Sequence, residues 1–442
     1  MNKKIFLAVT IMVFSLLSSN LYAQTVYSLY DLCKIADKTS RKIKIARDNL
    51  YISELDKKRA IAVLMPRLTA FGTKNRNFRK FDDPIAITKM DGITDTETLG
   101  LQLDQSFTLN GKELIAFKVT KDQIEKNEYE LESTRSDYLF AVAQIYYRIL
   151  SAEKNLDISK AGVKRLLKHK NSVKEKLDVG TVAKTALFRA EAEHSKAKTN
   201  LLISENELNF AKASLKNLVD IEDNFSLIEE KYFYLKGFEL SFENLIKSAL
   251  KNRPEIKSIE KNQDIAEKTI RYEQGDYWPV LSIKGVYSNS EIISEYDSNY
   301  SIYDNETNVI NKSIEAKLEF TIFDGGLRRA EIRQAIARKR QADAILIDVK
   351  NNIVLESKNA WFDFQTAKSS IETLKDELKS AKENLNAVAM QFEYGLSDSV
   401  DMMDADTLFV SAQRELAHAE YTYELSIINL IRIKGELLNL LL

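Results

Sequence analysis

The chain has one cysteine, three histidines and four prolines among 442 residues. A single cysteine excludes a disulfide framework and any cysteine-based zinc site within one chain. The prolines stand at 66, 84, 254 and 279, so residues 85–253 and 280–442 contain none and are free to form very long helices. Net charge is also missing. Sixty-four basic residues face 65 acidic ones, and no polyanion partner such as a nucleic acid is implied. Beyond the first two dozen residues no apolar run is long enough to cross a bilayer as a helix. No phosphate-binding loop, serine or cysteine nucleophile motif or metal-ligand spacing occurs, and His169, His194 and His418 are scattered along helical stretches in surface or packing roles. These absences predict a protein that is not an enzyme and holds no cofactor or metal.

The N-terminus reads as a secretory signal, residues 1–23. Lys3 and Lys4 precede an apolar run from Ile5 to Leu17, and "SSNLYA" ends on a small residue, which puts cleavage between Ala23 and Gln24. Cys33 lies too far past that point to carry a lipid anchor, so the protein is not expected to be a lipoprotein, and Cys33 is expected to be a small buried residue.

The chain is a tandem duplication. The stretch beginning at Leu29 aligns without a gap with the stretch beginning at Phe242, pairing Leu32 with Leu245, Glu54 with Glu267, Pro66 with Pro279 and Gly72 with Gly285. Two residues enter the second copy at "FDGG", and the shifted offset then pairs Tyr146 with Trp361, Gly180 with Gly395 and Ala190 with Ala405. The first repeat is placed at 24–220, a linker at 221–241 and the second repeat at 242–442. Each copy reads helix, strand, loop, strand, long helix, glycine, helix. The long helices are expected at 112–178 and 326–393, the returning helices at 182–219 and 398–438. Apolar and small residues alternate at steps of four and three along both long helices (Val142, Ile145, Ile149, Ala152; Ala360, Phe364, Ala367, Ile371), which marks a coiled-coil seam. A helix over 112–178 is roughly 100 Å long at 1.5 Å per residue, more than a compact domain accommodates.

Four segments, near 67–80, 98–109, 280–292 and 312–323, read as strands. In the second, Leu99, Leu101, Leu103 and Phe107 face one way and Gly100, Gln102, Asp104 and Ser106 the other. This alternation suits a half-buried soluble sheet or a membrane barrel strand with lipid outside and water inside. In a membrane, four strands cannot close a barrel, and an open edge in lipid is prohibitive. Several chains then share one barrel: two give eight strands, three give twelve. The polar stretches near 81–97 and 294–311 are expected to be cell-surface loops.

The tandem repeat, "FDGG" at 323–326, "RPEI" at 253–256 and "VDMMDA" at 400–405 together resemble the TolC family of outer-membrane efflux proteins over nearly the whole mature length. The resemblance implies a mainly α protein with membrane β. It implies a homotrimer whose 12-stranded outer-membrane β-barrel, four strands per chain, continues as a long α-helical periplasmic barrel, with an equatorial region around 221–241. It also implies a passive exit duct of a tripartite efflux or type I secretion system. A periplasmic adaptor opens the duct, and an inner-membrane pump of resistance-nodulation-division or ABC type powers it. Glycines occupy the helix turns of the tunnel tip, here Gly180 and Gly395. The adaptor contacts are then Val179, Gly180, Thr181, Tyr394, Gly395 and Leu396. Asp401 and Asp404 match the aspartates that ring the entrance, and Asp398, three residues earlier on the same stripe, is a third member or part of a solvated acidic helix face; Ser397 or Asp398 is expected to cap the helix after the turn. In the first copy Ala186 and Arg189 stand where the second has Asp401 and Asp404, and Phe392 and Ser397 replace the tyrosyl and basic residues of the family's gate, so its locking contacts do not carry over. The alternative is a periplasmic coiled-coil adaptor or scaffold without a channel, which accounts for the helices but not for four strands placed symmetrically in two repeats.

Overall fold

The computed structural model of the chain describes residues 25–81, 90–222, 224–229, 241–298 and 301–442. The expected signal segment, the residues 82–89 and 299–300 of the expected loops, and 230–240 of the expected linker lie outside the described residues.

The duplication is written in the element lengths. Helix α1 (Leu29–Thr39) starts at Ser28, whose hydroxyl accepts from Asp31 N while the Asp31 carboxylate accepts from Ser28 N, a capping box. Its counterpart α5 (Phe242–Asn252) starts at Ser241, which accepts from Asn244 N at 3.2 Å. Each is followed by a second helix, α2 (Arg41–Val63) and α6 (Pro254–Gln274), so the single leading helix expected in each repeat is divided. The break falls at Ser40 and Arg253, both in extended conformation. The long helices α3 (Lys112–Asp178) and α7 (Leu327–Glu393) each have 67 residues, and the returning helices α4 (Lys184–Leu218) and α8 (Ser399–Ile433) each have 35. The last helix was expected to run to 438. It stops instead at Gly435, which takes φ +76°, and a short α9 (Leu437–Leu441) follows.

The chain divides into two compact units. The first comprises Met1–Arg47, Glu130–Ile256 and Val349–Leu442. Its core packs Leu29, Leu32 and Ala36 of α1 with Leu139, Val142, Tyr146 and Ile149 of α3, Leu215 of α4 and Ile428 of α8. Cys33 is fully buried there, and burial pushes its thiol up to about 12, so it is an inert packing residue. A two-stranded parallel sheet, β1 (Thr25–Tyr27) with β4 (Phe225–Leu227), lies beside this core, and Tyr146 Oη donates to the Ile228 carbonyl at its edge. Small buried residues mark the helix seams: Ala152 and Ser159 on α3, Ser357, Ala360 and Ala367 on α7. Ser159 and Ser204 hydroxyls meet at 2.9 Å, so α3 and α4 approach closely.

The same unit holds an ionic network with buried arginines and partly exposed carboxylates. Arg253, 5% exposed, grips the Glu255 carboxylate with two nitrogens at 2.6 and 3.1 Å and donates to Glu356. Arg432 donates to the other Glu356 oxygen and to Asp137 at 3.1 Å. Four helices, α3, α6, α7 and α8, thereby share one cluster. Burial alone raises the Glu356 pKa, but the two guanidiniums outweigh it and the net shift is downward.

The second unit comprises Asp48–Tyr129 and Lys257–Asp348. It contains one antiparallel sheet in the order β2 (Arg67–Phe81), β3 (Met90–Thr108), β5 (Val280–Ser298), β6 (Ser301–Glu319). The register sets one face in rows. Phe107, Leu281 and Leu318 form the lowest, and Leu68, Leu103, Gly285 and Ile314 a higher one. Gly72, Leu99, Asn289 and Ile310 come above, and Leu68, Leu99, Leu101, Leu103, Ile310, Ile314 and Leu318 of this face are all exposed. The opposite face carries Thr98, Gln102, Asp104, Ser106, Ser282, Lys284, Glu315 and Lys317.

Three strands are much longer than the alternation indicated. Most of 90–97, 294–298 and 301–311, expected as loop, is paired strand, and β6 ends at Glu319 rather than 323. The reason is on the apolar face itself. Past Leu99 it turns charged: Lys74, Glu97 and Glu291 share the next row, then Arg76, Asp95 and Glu306. Arg76 holds Asp95 in a two-point pair at 2.5 and 2.7 Å, and Lys74 pairs with Glu97. Both faces are polar there, so a period of two in hydropathy vanishes while the ladder continues.

"FDGG" is a helix start. Gly325 and Gly326 take φ +71° and +93°, and the Asp324 carboxylate accepts from Arg328 N at 3.1 Å and Gly326 N at 2.9 Å. Those backbone bonds, with the Arg328 guanidinium at 2.6 Å, hold its carboxyl at about 2.

Replacing Arg253 by alanine should destabilise the protein by about 1–3 kcal/mol, because Glu255 loses its cation and Glu356 keeps only Arg432. Lysine should recover only part, having no planar fork. The thermal unfolding midpoint measures this, and an unchanged midpoint would show that the network contributes nothing.

Candidate functional site

The two helical hairpins, α3–α4 and α7–α8, end in turns of one design. Gly180 takes φ +77° with Gly180 N bonded to Leu177 O and Thr181 N to Lys176 O, both at 2.9 Å. Gly395 takes φ +76° with Gly395 N bonded to Phe392 O at 3.2 Å and Leu396 N to Gln391 O at 2.8 Å. Both are Schellman closures, in which a glycine adopts the left-handed conformation without steric cost. Val179, Tyr394 and Leu396 are 74%, 80% and 79% exposed, and Thr181 is exposed, so each turn presents apolar side chains to solvent.

The helices that follow the turns start differently. Asp398 caps α8: its carboxylate accepts from Val400 N at 2.7 Å and Asp401 N at 3.0 Å, and the Asp401 carboxylate accepts from Asp398 N at 3.2 Å. The corresponding residue before α4 is Ala183, which caps nothing with its side chain. Two of the three aligned aspartates thus have a local task as a capping box, and they also complement the positive end of the helix dipole. Asp404 lies a further turn along. Asp398, Asp401 and Asp404 are all exposed.

Behind this stripe, Arg165, Lys176, Ser399 and Asp406 carry no signal in the sequence, while His169 and Phe392 stand out there only as a scattered histidine and a departure from the family's gate. Asp406 is buried and accepts from Arg165 Nε of α3 at 2.7 Å, and the Arg165 guanidinium lies 5.1 Å from the Phe409 ring. His169 of α3 is buried with Nε2 2.9 Å from the hydroxyl of Ser399, the first residue of α8. Its ring lies 4.9 Å from that of Phe392, the next-to-last residue of α7. Phe392 packs in a small core with Val173 and Ala190, flanked by Val182, Ala186 and Leu187. Lys176 Nζ sits 4.3 Å above the Phe392 ring and donates to the Phe392 carbonyl and, at 3.2 Å, to the Glu393 carbonyl. The end of α7, with its unsatisfied carbonyls, therefore receives a cation from α3. Burial lowers the pKa of His169; Asp406 opposes that shift and Lys176 adds to it. His194 on α4 is also buried and its pKa is lowered by burial, with Lys198 and Lys170 adding. A heptad pattern finds Phe392 as a seam residue but gives no sign of which helix receives it.

Among the described residues Glu273, Asp276 and Glu331 stand close enough to share a cation, but Asp276 already pairs with Lys112 at 2.5 Å. No described helix is long and apolar enough to cross a membrane.

Known proteins share this fold. Outer membrane protein TolC of Escherichia coli (strain K12) is 22% identical over 440 residues, covering 95% of this chain and 83% of that protein. The Campylobacter jejuni CmeC outer membrane channel superposes with a TM-score of 0.79 at 17% identity, covering 92% of this chain and 86% of that one. CusC superposes with a TM-score of 0.78 at 18% identity, covering 92% of each chain. The model of the outer membrane efflux protein family matches residues 44–219 and 245–436, one block in each repeat, and the chain belongs to that family.

Proposed function

We propose that the chain is the outer-membrane exit channel of a tripartite efflux or type I secretion system. It forms a homotrimer, is delivered by its N-terminal signal peptide without a lipid anchor, and is opened by a periplasmic adaptor at the two hairpin turns. An inner-membrane pump of resistance-nodulation-division or ABC type drives the cargo. It acts as a duct and catalyses nothing.

The sheet carries this reading. Its exposed apolar face needs a hydrocarbon partner, and its edge strands β2 and β6 leave a row of backbone groups unpaired within the chain. Three copies joined edge to edge give twelve strands and a polar lumen. From the Phe107 row to the Leu99 row the apolar face spans eight residues, about 27 Å along the strand and about 20 Å of height at a 40° tilt. That is the band a bilayer covers. The charged rows at Lys74, Glu97, Arg76 and Asp95 then stand at headgroup level, since a lysine or arginine at the midplane costs about 2–4 kcal/mol. A scaffold protein in water would leave that apolar face without a partner.

The same boundary sets a labelling pattern. Cysteines at Thr94 or Asn305, above the charged rows, should react with an impermeant thiol reagent on intact cells. Cysteines at Leu101 or Ile314 should stay protected. Reaction at all four positions, or only after the outer membrane is broken, would overturn the placement.

Asp401 and Asp404 from three chains place six carboxylates at the entrance, which favours cations over anions. Replacing both by asparagine should weaken the cation preference of single channels in a planar bilayer. The loss should shrink in concentrated salt, where the screening length falls from about 10 Å at 0.1 M to about 3 Å at 1 M. An unchanged preference in dilute salt would mean that these aspartates face away from the conduction path.

A further inference from the structure

We propose that His169 makes the clasp between the two helical hairpins acid-labile, so that acid at this end of the protein releases α7–α8 from α3–α4; the consequence for conduction rests on the channel reading above.

The clasp has three parts, and all join α3 to the start of α8 or the end of α7. Arg165 pairs with Asp406 at 2.7 Å, His169 meets Ser399 at 2.9 Å, and Phe392 enters the pocket of Val173 and Ala190 with Lys176 over its ring. Among the clasp's side chains His169 is of the one type whose ordinary pKa falls inside the pH range a bacterial envelope meets. It is 6% exposed and wedged between the Phe392 ring and the Ser399 hydroxyl, itself 4% exposed.

Two charged groups face the ring from the packed elements: Lys176 on its own helix and Asp406 on α8. Asp406 could stabilise an imidazolium, but Arg165 already occupies it from the same helix as His169. Lys176 repels one. Burial, the largest cause, acts the same way, and the clasped imidazole has a pKa below its ordinary value. Once the hairpins part, the imidazole is solvated and returns to an ordinary value near 6.5. The open form then binds more protons than the clasped form whenever the pH lies below about 6.5, so the clasp strengthens as pH rises and weakens as it falls. For one histidine that stays neutral in the clasp, the shift at pH 5.5 is at most about tenfold per chain. The second repeat has Asn384 at the matching position, so the device sits in one hairpin only.

Hydrogen exchange on the full-length protein in detergent reads the clasp without requiring conduction. After correction for the intrinsic pH dependence, protection of 165–176 and 392–409 should fall three- to tenfold between pH 7.5 and 5.5. In His169→Gln, which can still bond Ser399 but cannot titrate, protection should not change with pH. Ser399→Ala should lower protection at both pH values and keep the acid response, because burial rather than the hydroxyl sets it. His194→Gln should respond to acid like the parent. A parent protein without an acid response, an equal response in His169→Gln, or a response lost only in His194→Gln would each overturn the proposal. Planar-bilayer recording at the same two pH values then tests the consequence. Higher open probability in acid, abolished in His169→Gln, is expected. If exchange responds as stated but no variant conducts, the clasp stands and the channel reading is what fails.

Discussion

A backbone N–H or C=O group has no partner in hydrocarbon except another backbone, and this constraint organises the rest of the molecule. The chain builds four strands with one apolar face and leaves β2 and β6 as edges. Within the chain each outer strand is hydrogen-bonded on one side only, β2 to β3 and β6 to β5. On the channel reading proposed above, such a sheet is completed by others like it, and three together give enough strands for a water-filled lumen, so subunit number would follow from strand number. The polar face, with Thr98, Gln102, Ser282 and Lys284, follows from the same argument, since closure turns it toward water.

Duplication accounts for the regular frame, and divergence for the candidate site. The paired helices keep identical lengths of 67 and 35 residues, and both turns close with the same glycine geometry. The side chains around those turns differ. The second copy caps its returning helix with Asp398 and Asp401, and the first begins that helix at Ala183 with no side-chain cap. The first copy supplies Arg165, His169 and Lys176, and the second supplies the groups they hold. Two copies that began alike have become donor and acceptor of one contact.

Much of this was legible in the sequence, and what was not has a physical cause. The repeat shows as an alignment at a nearly constant offset, and the glycine turns and seam residues follow from local spacing, because each depends on residues close in the chain. The upper halves of β3, β5 and β6 were missed because both faces are polar there: Glu97 and Asp95 share a face with Leu99 yet oppose Lys74 and Arg76, not lipid. Pairing persisted where hydropathy alternation did not. The clasp was missed for a different reason. Asp406 and Arg165 are 241 residues apart. Nothing in either neighbourhood marks them as partners, and an aspartate at a buried helix position reads as an unremarkable exposed one until the opposing arginine is placed. The three visible aspartates drew attention because they repeat every three residues, and two of them proved to serve the helix end first.

That double use bears on how the second turn is built. A capping box fixes the Asp398 and Asp401 carboxylates against the first turn of α8, so their positions are set by backbone geometry rather than by flexible side chains. A charge held in this way costs little further entropy when it acts on a passing ion. Asp404, one turn on, lies outside the cap and on the same stripe. On its hidden side α8 is anchored by Ser399 to His169 and by Asp406 to Arg165. The helix therefore presents two capped carboxylates on one side while its other side is held by contacts to α3. Under the release proposed above the stripe would move as a rigid piece, because the cap that orders it belongs to α8 alone.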